Sequence, residues 1–151
     1  MNYATALVAL PLVCESSGGS IRTPEEALGA CKDMAYLAQE AFHVLSLSTR
    51  NRLINRHMVS LGTVNSAQVG IADCFRAVIC DAGAVSALFC HNHCSGEVTP
   101  SAEDIAVTKR LIEAGKIVGI RVVDHIIVGR DQNTGEPVQL SLRERGLCNF
   151  E

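Results

Sequence analysis

The polarity of this chain changes period as it is followed from one end to the other, and the period assigns most of its elements. Residues 41–48 alternate apolar and polar closely enough for a strand, 49–52 read as a turn, and 53–62 return as a second strand, so the two form a hairpin. An apolar run over residues 3–14 reads as an earlier strand, followed by a Gly/Ser loop over 16–20. Thr23-Pro24-Glu25-Glu26 opens a helix, with Thr as N-cap, Pro at the first helical position and acids in the first turn; the helix is expected to run to Gln39. Residues 71–81 place Ile71, Phe75, Val78 and Ile79 at helical spacing, and Gly83 ends that helix. The continuous apolar run 85–90 predicts a buried strand. A loop from Cys94 to Pro100 leads to a helix over 102–114 stopped by Gly115, and strands follow at 119–128 and 138–142. Strand and helix alternate throughout, which predicts an α/β fold with helices packed on a central mixed sheet. At 151 residues the chain fits a single domain, 1–151.

Composition narrows the class. A hydrophobic share of 48% and a charged share of 19% support a packed core and argue against disorder. With four Phe, two Tyr and no Trp, that core must be mainly aliphatic. The net charge of -3 supplies no basic stripe for nucleic acid, and Arg50, Arg52 and Arg56 beside the turn read as a solvated face. The seven cysteines are odd in number and form no CxxC pair, and Cys31, Cys74, Cys80 and Cys90 fall in apolar segments. They read as buried free thiols of a cytoplasmic protein. The apolar run 4–13 has no basic residue before it and is too short to span a bilayer, so it is a strand and neither a signal peptide nor a membrane anchor.

The chemistry concentrates at the end of the buried strand 85–90. In His91-Asn92-His93 the two imidazoles share a strand face. Asp104 comes from the start of the next helix, giving three ligands that could hold one zinc ion and leave a fourth position open. Ser101 and Asp104 also have the spacing of a helix capping box, a role compatible with ligation. Cys90 and Cys94 flank the histidines; alternation turns Cys90 to the opposite face and core, whereas Cys94 in the loop is a candidate reactive thiol or extra ligand. HNH nucleases spread their histidines over a longer unit, and no HExxH is present. Hydrolysis would need a carboxylate base as well, for which Glu40, Glu97 and Glu15 are the candidates.

Taken together, Glu40, His91-x-His93, Ser101 and Asp104 resemble the JAMM (MPN+) metalloprotease signature. The string His91-Asn92-His93-Cys94-Ser95-Gly96 with Thr99-Pro100-Ser101 and Asp104 resembles the RadC-like JAB domain in particular. So do the turn from Leu47 to Leu53, Gly62-Thr63, Arg121-Val122-Val123-Asp124-His125 and Glu144-Arg145-Gly146, so that the likeness covers about residues 20–148. The resemblance implies a cytidine-deaminase-like (JAB/MPN) fold holding one Zn2+, with His91, His93 and Asp104 as ligands. It implies Glu40 as general acid/base and Ser101 as a hydrogen-bond donor to the oxyanion, acting on a peptide or isopeptide substrate. Where the family usually has Pro after the second histidine this chain has Cys94, and where the turn usually has Asp it has Ser48. The helix-hairpin-helix region that often precedes such domains is expected to be absent. His125 fits the family pattern and reads as a satisfied histidine on a sheet.

Three functions stand as expectations: a zinc hydrolase of amide or isopeptide bonds, a binding module in DNA repair or mobile-element biology with an idle metal site, and a metal-dependent nuclease. An exposed strand edge would permit a homodimer.

Overall fold

The computed structural model describes residues 19–62 and 69–151. The strand expected at 3–14 lies outside the described residues. The elements run α1 (Pro24–Cys31), β1 (Ala41–Leu47), β2 (Leu53–Leu61), α2 (Ile71–Cys80), β3 (Ser86–Asn92), α3 (Ala102–Val118), β4 (Arg121–Arg130) and β5 (Pro137–Ser141). They form a five-stranded sheet in the order β2-β1-β3-β4-β5, in which β3 and β4 are parallel and the other neighbours antiparallel. This is the α/β architecture with a mixed sheet flanked by helices that the alternation of periods predicts, and it is consistent with a JAB/MPN fold.

β3 occupies the middle of the sheet, and all of its seven residues are buried. Its odd positions, Ala87 and Phe89, join Phe42, Val44, Phe75, Val78, Val107 and Leu111 in the core under α2 and α3. Its even positions, Leu88 and Cys90, join Ala27, Cys31, Met34, Leu45 and Leu47 in the core under α1. A strand covered on both faces must be largely apolar at both parities, which is why Ala87, Leu88, Phe89 and Cys90 follow one another without a polar residue. β1 and β2 form the expected hairpin; Ser48 holds its turn by accepting hydrogen bonds from the backbone N–H groups of Arg50 and Arg52.

Two helix ends differ from expectation. The α-helix that begins at Thr23 stops at Cys31 and continues as a 3-10 turn, Lys32–Tyr36, instead of running to Gln39. Arg56 reaches across from β2 and donates to the Ala30 carbonyl at 3.0 Å, capping the last turn from outside. In the other direction, α3 passes through Gly115 and ends at Gly119, which adopts the left-handed conformation (φ 74°). Gly115 serves contact and not termination: a Cβ there would lie 2.5 Å from the Ile120 carbonyl and 2.9 Å from Val122 Cγ2, so only glycine lets α3 approach the start of β4.

Among the described cysteines, Cys31, Cys74, Cys90 and Cys148 are buried and free, but Cys80 is exposed at the end of α2. No helix of the described residues is long and apolar enough to cross a membrane.

Arg56 also leaves the basic face that 50–56 suggested. Its side chain is 5% exposed and forms a bidentate pair with Asp33, with contacts of 2.6 and 2.9 Å. Its Nε donates to His43 Nδ1 at 3.0 Å. Burial, and then the adjacent Arg56 charge, outweigh the attraction of Asp33 and push the His43 pKa down from 6.5 to about 4. The sign of the consequence is set by proton uptake. Below the unfolded value the unfolded chain binds a proton that the folded chain refuses, so stability is complete above about pH 6.5 and falls as the pH drops toward about 4. At about 1.4 kcal/mol per pH unit the loss approaches roughly 3 kcal/mol. Urea denaturation at about pH 7 and about pH 4.5 should show this loss in the wild type and a clearly smaller one in His43→Gln; equal losses would exclude His43 as the cause.

Candidate metal centre

β3 carries His91 near its end and releases His93 just beyond it, so the two imidazoles project from the same face toward the start of α3. Asp104 is the third residue of α3. Ser101, the N-cap, accepts a hydrogen bond from the Asp104 N–H at 3.1 Å, and the Asp104 carboxylate accepts one from the Ser101 N–H at 2.7 Å. The capping box therefore aims the carboxylate back toward the strand. His91 Nε2 lies 2.9 Å from His93 Nε2 and 3.1 Å from Asp104 Oδ1, and His93 Nε2 lies 3.3 Å from Asp104 Oδ2. Among the described residues these three form the one cluster of side chains whose geometry could hold a metal ion.

The donor set fits a small dication. Four ligands placed at about 2.0–2.1 Å around a tetrahedral zinc stand about 3.3 Å apart; the two imidazole nitrogens stand 2.9 Å apart, each with a different Asp104 oxygen beside it, and one donor atom from each residue falls within 4.8 Å of the others. His93 Nδ1 lies 2.8 Å from the Glu97 backbone carbonyl, which can only accept. Nδ1 must therefore carry the proton, and a neutral His93 offers the lone pair of Nε2 to the cluster. Hydrogen bonding to Asp104 is the main reason that the His93 pKa is raised. Burial opposes ionisation of Asp104, but its contacts with His91 and His93 when those rings are protonated, together with the Ser101 N–H, outweigh it and hold the carboxyl well below the usual carboxylate range.

The other candidates lie around this cluster in different ways. β1 and β3 pair antiparallel with Phe42 opposite His91, and continuing that register by two residues sets Glu40 opposite His93. The negative charge of Glu40 contributes to the raised pKa of His93. Ser101 is exposed at the rim, and because its oxygen accepts from Asp104 N–H, its hydroxyl proton remains available to a bound group. The Glu97 side chain is exposed, and that residue meets the centre through its backbone carbonyl. Glu15 lies outside the described residues. Cys94 is exposed and outside the cluster, lining a neighbouring cavity of about 500 Å³ with Tyr36, Leu37 and Arg130. Partial burial, with a smaller contribution from Glu40, raises its pKa and so favours the unreactive thiol. The loop it begins is tied to β4 by hydrogen bonds from His93 N–H to the Val128 carbonyl and from Arg130 N–H to the Gly96 carbonyl.

The sequence profile of the RadC-like JAB domain matches residues 21–147. The chain belongs to the RadC-like JAB domain family. It is similar to a UPF0758 protein of Caldanaerobacter subterraneus subsp. tengcongensis, with 38% identity over 143 residues, or 94% of this chain and 58% of the relative. A UPF0758 protein of Desulforamulus reducens is 44% identical over 84% of this chain and 53% of its own length. One of Listeria monocytogenes is 41% identical over 91% of this chain and 58% of its own. The chain thus spans little more than half the length of these curated relatives.

Two parts of this JAB domain's centre escape a reading from spacing. Asn92 faces away from the histidines, and its side chain accepts from the Ala41 N–H at 2.7 Å and donates to the Gln39 carbonyl at 3.1 Å. It therefore clasps the backbone on both sides of Glu40 and fixes that residue against β3. The signal was a polar amide following Leu88 and Cys90 at the same parity. The second part is His125, fully buried, whose Nε2 lies 2.8 Å from His91 Nδ1 and whose Nδ1 lies 2.5 Å from Thr108 Oγ1. The sheet histidine is satisfied as expected, but its partner is a residue of the cluster. Asn92→Ala leaves the buried Ala41 N–H without an acceptor and should cost about 1–3 kcal/mol. Denaturant titration should show that loss while zinc uptake per chain, measured on the folded protein, stays unchanged; loss of zinc uptake would show that the clasp also shapes the cluster.

Proposed function

We propose that this domain is a zinc-dependent hydrolase of amide or isopeptide bonds in which His91, His93 and Asp104 hold the metal. The observation that supports this most strongly is the convergence of two imidazole nitrogens and a depressed carboxylate at about 3 Å spacing, with Glu40 brought beside them by the β1–β3 register. Nitrogen and oxygen donors in a three-membered set suit zinc and leave a position for water or substrate. When bound, the metal would supply Lewis acidity, acidifying a coordinated water and polarising the scissile carbonyl.

The remaining steps fall to the chain's own side chains. Glu40, on the His93 side of the cluster, accepts a proton from the attacking water and returns it to the departing amine. Ser101 donates its free hydroxyl proton to the oxyanion that develops on the carbonyl, from a position fixed by its N-cap bond to Asp104. Asp104 accepts the Ser101 N–H at 2.7 Å, a bond that favours its ionised, ligating form and fixes its aim.

Elemental analysis of metal-replete protein should find about one zinc per chain, lost in His91→Ala and in Asp104→Ala. Glu40→Gln should keep the zinc and lower hydrolysis of a peptide and isopeptide substrate panel by about 10²-fold or more. Zinc-free wild-type protein, or a fully active Glu40→Gln variant, would overturn the proposal; cleavage confined to a phosphodiester control would point to nuclease chemistry instead.

A further inference from the structure

We infer that Thr108 and His125 form a one-directional hydrogen-bond relay that sets the tautomer of His91, which makes His125 a positioning residue of the metal centre. The inference rests on the ligand set proposed above and extends it to two residues outside that set. The direction is imposed at the far end. Thr108 Oγ1 lies 2.6 Å from the backbone carbonyl of Asp104, one helical turn earlier. A carbonyl oxygen only accepts, so the single hydroxyl proton of Thr108 points there. Thr108 Oγ1 must then accept at its other contact, 2.5 Å from His125 Nδ1, which places a proton on that nitrogen.

Complete burial with no carboxylate bonded to it keeps the His125 ring uncharged, so its other nitrogen, Nε2, is bare. That nitrogen lies 2.8 Å from His91 Nδ1, so His91 donates to it and carries its own proton on Nδ1. His91 Nε2 is thereby left as a lone pair, 3.1 Å from Asp104 Oδ1. The reverse arrangement would turn the Thr108 proton toward His125 and leave two oxygens 2.6 Å apart with no proton between them. The path is a closed circuit through Asp104: its carbonyl orients Thr108, and its carboxylate meets the nitrogen that the relay prepares. The His125 ring has little freedom to turn, because it is fully buried and stands edge-on to Phe42 and Phe89, with centroids 5.3 and 6.4 Å away.

The relay has a chemical consequence. Both cluster imidazoles offer Nε2, and both donate from Nδ1 to an uncharged acceptor, Glu97 carbonyl for His93 and His125 for His91. Asp104 then contributes the one full negative charge within the three-residue set. A bound dication keeps a net positive charge there, and so more of its electrophilic strength than it would with carboxylates behind the histidines.

Thr108→Val removes the hydroxyl at nearly constant volume, and Thr108→Ser restores it. Competition titration of zinc against a chromogenic chelator should show about 10-fold or greater weakening in Thr108→Val, with Thr108→Ser within about threefold of wild type by the same argument. Long-range 1H–15N correlation spectra of the wild type should show His125 protonated at Nδ1 and bare at Nε2. Unchanged zinc affinity in Thr108→Val, or a proton on His125 Nε2, would overturn the relay. If Thr108→Val does not fold, the wild-type spectrum decides. If the wild type takes up no zinc, the reading of the centre fails separately, and the spectrum of the metal-free protein decides whether the relay exists.

Discussion

β3 is hydrogen-bonded along both edges and buried on both faces, and it carries the first histidine of the centre and seats the two strands that bring other residues beside it. Its antiparallel neighbour β1 brings Glu40 to the level of His93. Its parallel neighbour β4 brings His125 behind His91. Its apolar side chains feed two cores at once, so the strand cannot slide by one residue without exchanging every contact on one face for those on the other. A rigid central strand is a suitable platform for side chains that must be held to within a fraction of an ångström.

Asp104 joins the sheet to the helical layer. Its carboxylate serves the capping box of α3 and the two histidines, and its carbonyl receives the hydroxyl of Thr108. The helix start and the cluster therefore share one carboxylate. The energetic cost of burying this carboxylate is offset only by partners that converge on it, which is why it is ionised in so enclosed a position.

Much of this was legible in residue order. Period-2 alternation marks the β1–β2 hairpin, the apolar run marks β3, and the Thr23 and Ser101 caps mark two helix starts to the residue. The helix ends were less legible because long-range contacts set them: Arg56 caps α1 from another element, and Gly115 is a contact glycine that resembles a stop signal. Arg56 itself reads as a surface cation beside a turn, yet it lies buried between Asp33 and His43.

The order of residues alone settles the local geometry of the cluster: the shared face of His91 and His93 comes from strand alternation, and the aim of Asp104 comes from a capping box, both interactions within a few residues. The placement of His125 is not contained in that order. β4 has an irregularity where Ala87 pairs with Val122 and Leu88 with Asp124, so Val123 is an extra residue in the strand. That bulge inverts the parity of the later β4 residues, carrying His125 and Ile127 to the face that Val122 began on. Unbroken alternation would have turned His125 toward α1, away from His91. A bulge is a property of two paired strands, and so the contact between His125 and His91 arises only when β4 is seated against β3.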